Sequence, residues 1–186
     1  MAEKNYSQEL KKIILHEKWL MDILRSVRAL NLPDWYLAAG VVRNTVWDVL
    51  HGYTKRTPLN DIDVVYYGLT KKIDGKDIER KLHRLYPQYT FEVVNQAFVH
   101  EMYHYKKRVQ NSCEAIGKFI EIPTGVGVRL EQDDSLTLCA PHGLKDLFTF
   151  RVAPISRETA ILTRYKERMK KKQWKKIWPK LVISSF

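Results

Sequence analysis

The chain has 186 residues, of which 45% are apolar and 28% charged, with a formal net charge of +11. That length and balance suit one compact domain with a helical appendage and exclude both wholesale disorder and a second full domain. No apolar run approaches the roughly 18 residues needed to span a membrane, and the N-terminal Met1-Ala2-Glu3-Lys4-Asn5 lacks the apolar core of a signal peptide. The expected location is therefore cytoplasmic, and Cys113 and Cys139 read as reduced, partly buried thiols.

Leu10, Ile13, Ile14, Leu20, Met21, Leu24, Val27 and Leu30 recur at helical spacing behind Ser7 as N-cap, predicting one amphipathic helix over residues 7–30. Pro33 prevents its continuation. Trp35 to Ala39 suits a short buried strand that runs directly into Gly40 and a helix over Val41 to His51, which Gly52 ends. After a polar loop, Asp61 to Tyr67 has the alternation and β-formers of a second strand. A helix over about residues 77–85, a strand at Phe91 to Val94 and a helix from Gln96 to Tyr105 follow. Further strands are expected around Gly125 to Leu130 and Leu136 to Ala140, and a last helix over Ser156 to Lys176. Helices interleaved with strands give an α/β (α+β) domain over residues 1–155, a mixed sheet flanked by helices, followed by a basic helical tail over 156–186.

The charge is unevenly placed. Arg164 to Lys180 holds nine Lys or Arg and one acid, Glu167, and so carries most of the net positive charge. Interleaved with Tyr165, Trp174 and Trp178, this cluster suits RNA or another nucleic acid through phosphate neutralisation and stacking, or else is a solvated helix face.

The chemistry centres on Ala39-Gly40-Val41-Val42-Arg43-Asn44, a helix, a loop, and then Asn60-Asp61-Ile62-Asp63-Val64-Val65. Side chains on a strand alternate, so Asp61 and Asp63 share one face while Ile62 and Val64 point into the core. Two bare carboxylates about 4 Å apart repel by roughly 4 kcal/mol at an effective dielectric near 20, which favours a shared cation or a proton. Hard oxygen ligands select Mg²⁺ or Mn²⁺. Gly40, between strand and helix, lets a phosphate approach backbone N–H groups and the positive helix end, with Arg43 one turn further in. Carboxylates that hold a cation beside a phosphate cradle point to phosphoryl or nucleotidyl transfer from an NTP.

This combination resembles the nucleotidyltransferase superfamily, the fold shared by DNA polymerase beta and the kanamycin-type antibiotic nucleotidyltransferases. The closer likeness is to the head of bacterial CCA-adding tRNA nucleotidyltransferases and poly(A) polymerases, in which Gly-Gly-x-Val-Arg-Asp precedes a helix ending in Leu-x-Gly and then Asp-x-Asp. Here the matching text is Ala39 to Asn44, Leu50-His51-Gly52 and Asp61-Ile62-Asp63. The wider pattern from Trp35 to about Pro154, including Val94-Asn95-Gln96-Ala97 and Gly143-Leu144-Lys145-Asp146-Leu147, is similar to a bacterial nucleotidyltransferase-like family. The resemblance implies a nucleotidyltransferase-type sheet and a two-metal head. In it Gly40, Arg43 and Asn44 lie at the phosphates, Asp61 and Asp63 hold metal, and Glu92, on the strand after the next helix, supplies a third carboxylate that binds metal and activates the acceptor. The sequence departs from the motif at Ala39, where the family has the first glycine of the pair, at Asn44, where it has an acid, and in a longer loop from Gly52 to Asp61.

Two other readings are compatible with the sequence. A nucleotide- or RNA-binding module of the same fold, without turnover, accommodates Ala39 and Asn44. His100-Glu101-Met102-Tyr103-His104 spells the zincin pattern of a zinc metallopeptidase, with no context to select a third ligand. Asn95-Gln96 and His142-Gly143 are secondary pocket candidates, since side-chain amides and turn glycines ordinarily serve backbone hydrogen bonding.

Overall fold

The computed structural model describes residues 3–70, 73–99 and 108–185. Its centre is a five-stranded mixed sheet of β1 (Tyr36–Ala38), β2 (Ile62–Tyr66), β3 (Phe91–Asn95), β4 (Gly127–Leu130) and β5 (Leu136–Cys139), in the order β3-β2-β1-β4-β5. Within this sheet only the β2–β3 pair is parallel. Its crossover is the helix α4 (Gly75–Leu85), as a parallel connection requires.

The amphipathic N-terminal segment forms two helices, α1 (Glu3–His16) and α2 (Lys18–Arg28), rather than one. The chain turns at Glu17, whose carbonyl accepts from the Leu20 and Met21 N–H groups. A straight helix over residues 7–30 would be roughly 35 Å long at 1.5 Å per residue. The bend lets α1 lie on α3 (Gly40–His51) while α2 lies against β4. Gly52 ends α3 in the left-handed conformation at φ 72°, as expected of a helix-terminating glycine.

Strand alternation divides the sheet into two faces. Leu37, Ile62, Val64, Phe91, Val93 and Val128 join the main core with the apolar sides of α2, α3 and α4. Tyr36, Ala38, Val65 and Cys139 point the other way and pack with Ile116 from the short helix α5 (Ser112–Ile116). The first turn of the segment expected as a helix after β3 is a 3₁₀ turn, Gln96–Phe98, and the rest of it lies largely outside the described residues. Cys113 on α5 and Cys139 on β5 are not the reduced thiols expected from their small number. Packing of α5 across the sheet brings their Cα atoms to 5.6 Å, and they form a disulfide.

The last third of the chain returns to the body. After α6 (Lys145–Phe148), β6 (Arg151–Val152) pairs in parallel with β7 (Val182–Ile183). The expected final helix is split into α7 (Thr159–Lys172) and α8 (Trp174–Ile177) at Gln173, which has a left-handed backbone at φ 47°. That turn aims Trp174 and Trp178, four residues apart, into the core against Trp47, with ring centroids 5.6 and 5.1 Å away. The Trp178 indole donates to Asp48 Oδ1 at 2.7 Å, and Thr57 donates to the other oxygen through its N–H and hydroxyl, so the buried carboxylate is satisfied on both sides. No described helix is long and apolar enough to cross a membrane.

Candidate active site

β2 begins at the residue after Asp61, and its register sets Asp63 beside Ala38 on one neighbour and beside Glu92 on the other. Because β2 and β3 are parallel and paired in this register, Asp63 and Glu92 project from the same face. That face is opposite the main core, since Ile62 and Val64 are fully buried on the other side. Asp61, Asp63 and Glu92 line a cleft of about 500 Å³ together with Ala39, Gly40, Arg43 and Asn44. The structure thus gathers Gly40, Arg43, Asn44, Asp61, Asp63 and Glu92 into one cavity.

The start of α3 forms one wall. Ala39 occupies the N-cap and its side chain makes no capping hydrogen bond, while the Gly40 N–H that follows donates to the Asp63 carboxylate. A methyl group added at Gly40 would meet nothing nearer than Arg43 Nη2 at 3.9 Å. Packing therefore does not demand a glycine there; the space above it is open cleft. Ala39 itself has φ 58° and ψ −121°, a backbone that a side chain adopts only under strain. The glycine that the resembling motif carries at this position has a local reason: the chain must turn sharply from β1 into α3.

Arg43 is braced rather than free. It is buried, donates to Thr124 Oγ1 at 2.7 Å and to Asn44 Oδ1 at 2.9 Å, and lies 4.1 Å above the Trp174 ring. Its Nε has no hydrogen-bond partner among the described residues. Burial lowers its pKa from 12.5 to about 10, with Glu121, Asp63 and Asp61 acting in opposition, so it stays charged at neutral pH. Asn44 is thus committed at its side-chain oxygen to holding this guanidinium.

Asp63 is the electrostatic focus. Burial, then the negative charges of Asp61 and Glu92, raise its pKa from 3.8 to about 7, against the pull of Arg43 and of the Gly40 N–H. A carboxylate held in this state gains from any cation placed between it and its two neighbours, so the donor set suits a hard divalent ion. Among the described residues, no three side chains already stand close enough to enclose one.

Several residues line this cleft that the sequence reading did not place in it. Glu121, fully buried, precedes the 3₁₀ turn Ile122–Thr124 that carries Thr124. Arg168 of α7 donates to it through Nε at 2.5 Å and Nη2 at 3.3 Å. Arg164 and Lys172 of the same helix also line the cavity, as does Trp174. A charge run in the sequence does not say which of its members turn inward; four-residue spacing within it was the available signal. Asn95 and His142 serve the backbone, at Gly68 and Ala97 and at the Gly117 carbonyl respectively. Gln96 lines the cleft. The pattern from His100 to His104 lies outside the described residues.

A family model described as nucleotidyltransferase matches residues 25–183. A protein whose NMR structure reveals a CCA-adding enzyme head domain is 30% identical, with a TM-score of 0.81 over 96% of both chains. A CCA-adding enzyme in complex with ATP is 14% identical with a TM-score of 0.59 over 95% of this chain, and the Thermotoga maritima CCA-adding enzyme complexed with tRNA is 13% identical with a TM-score of 0.55 over 95%. The chain spans 43% and 42% of the length of those two enzymes, which share the fold. No curated protein sequence matches. The five-stranded mixed sheet with its flanking helices is thus a nucleotidyltransferase head, and the chain belongs to the nucleotidyltransferase family.

Proposed function

We propose that this protein transfers a nucleoside monophosphate from an NTP to a hydroxyl acceptor, with Mg²⁺ or Mn²⁺ held by Asp61, Asp63 and Glu92. The observation that carries this reading is the convergence of Asp61, Asp63 and Glu92 in one cleft with Gly40 at the start of α3, where burial and the neighbouring carboxylates raise the Asp63 carboxyl to about 7. A bound divalent ion would neutralise charge on the phosphates and favour the ionised acceptor. Gly40 and the first-turn N–H groups of α3 receive phosphate oxygens. The acceptor oxygen bonds to the α-phosphorus, the bond from that phosphorus to the bridging oxygen breaks, and pyrophosphate leaves. Glu92 is the exposed member of the three and stands where an incoming acceptor hydroxyl would meet it. Arg43 and Asn44 hold the α3 wall in place from behind.

RNA is the acceptor class that best fits the surroundings. A relative of the same fold is seen with tRNA, and Lys166, Lys170, Lys171, Lys175 and Lys176 are all exposed on α7 and α8, the helices that also carry cleft residues, a surface that neutralises a phosphate backbone. The test is incubation with Mg²⁺ and each α-³²P-labelled NTP, with and without total RNA, beside an Asp61→Asn, Asp63→Asn variant. Label in RNA that the variant fails to incorporate supports the reading. Equal labelling by the variant refutes it, and NTP binding without any product identifies a module that binds but does not turn over.

A further inference from the structure

The basic C-terminal helix has two faces, and one of them belongs to the cleft. Arg164, Arg168 and Lys172 recur every four residues, so they form a ridge along α7 with about 6 Å between successive side chains. All three line the cavity that holds Asp61, Asp63 and Glu92. Lys166, Lys170 and Lys171 of the same helix are exposed and absent from that lining.

Arg168 is fixed by two hydrogen bonds to Glu121, whose carboxylate is fully buried. Arg164 and Lys172 have no ion pair among the described residues. The cleft is therefore bipolar, with a carboxylate floor and an opposing cationic wall whose charge Glu121 only partly offsets. A ligand matched to both is anionic at one end and able to share a cation at the other. At about 500 Å³ the cavity has the size of a small-molecule site rather than a track for a macromolecule.

We propose that Arg164, Arg168 and Lys172 form a polyphosphate-binding wall that grips the β- and γ-phosphates of the NTP and the pyrophosphate released from it. Glu121 acts as the positioning residue that holds Arg168 in line with its neighbours. The proposal rests on the nucleotidyl-transfer reading for its ligand, but the wall is measurable without catalysis.

The experiment is calorimetric titration of the full chain with inorganic tripolyphosphate in EDTA. It compares wild type, an Arg164→Gln, Lys172→Gln variant, and a Lys166→Gln, Lys170→Gln variant that loses the same charge from the outer face. Loss of roughly tenfold or more in affinity is expected in the first variant, as two charge-assisted contacts imply, with a change of less than about twofold in the second. Equal losses in both, or none in the first, overturn the proposal. So does an affinity loss for a single-stranded RNA oligonucleotide with tripolyphosphate binding intact, which would assign the ridge to RNA. Tripolyphosphate binding that depends on the ridge in a protein that incorporates no label would leave the wall standing and sink the transferase reading instead.

Discussion

Removing the Asp63 charge by Asp63→Asn should stabilise the metal-free protein at alkaline pH. The Asp63 carboxyl is raised from 3.8 to about 7. A raised carboxyl contributes stability that is complete below its unfolded pKa and is lost as pH climbs through the folded one, so the loss runs from about pH 4 to about pH 7. Three pH decades at about 1.4 kcal/mol each set a ceiling of about 4 kcal/mol, and water entering the open cleft reduces this to about 2 kcal/mol. Asparagine keeps the shape and carries no charge. In urea unfolding with EDTA the variant should match wild type near pH 4.5 and exceed it by about 2 kcal/mol at pH 8.5. Adding Mg²⁺ at pH 8.5 should raise the stability of wild type and barely affect the variant. A variant less stable than wild type at pH 8.5, or a stability difference that does not change with pH, would show that burial and the neighbouring carboxylates do not disfavour the Asp63 charge as described.

Three further outcomes follow from single features of the fold. Ala39→Gly removes a side chain from a backbone at φ 58° and ψ −121° and should raise stability by about 1 kcal/mol net in urea melts, after the entropic cost of the new glycine; a loss would mean the turn is unstrained. Trp178→Phe deletes the donor to Asp48 Oδ1 and part of the packing on Trp47, and should cost about 3 kcal/mol by the same assay, far more than substitution of a surface residue. Reduction of the disulfide between Cys113 and Cys139, which are 26 residues apart, should lower stability by about 3.5 kcal/mol on the chain-entropy account. Unchanged unfolding under reductant would place the bond outside the native balance.

The sequence by itself determined the carboxylate floor of the cleft and the elements that carry it. Asp61 and Asp63 share a face because a strand alternates with period two, and Gly40 opens α3 because a short apolar strand runs into a helical pattern with no capping residue between them. Both are local rules, so they survive whatever the rest of the chain does. The bend at Glu17 and the break at Gln173 were not legible, because apolar spacing records that residues are buried and not what they are buried against. The bond between Cys113 and Cys139 was hidden for a similar reason, since chain composition argues about compartments while pairing is decided by α5 lying across β5. The same limit applied to the opposite wall of the cleft. Glu121, Thr124 and Arg168 are distant in sequence from the Asp-x-Asp motif, and a run of lysines and arginines looks equally solvated on every side. The packing of Trp174 and Trp178 beside Trp47, the burial of Tyr165 and the Arg168–Glu121 pair together turn one face of α7 toward the cleft, because these contacts fix the path of the chain that carries the charges.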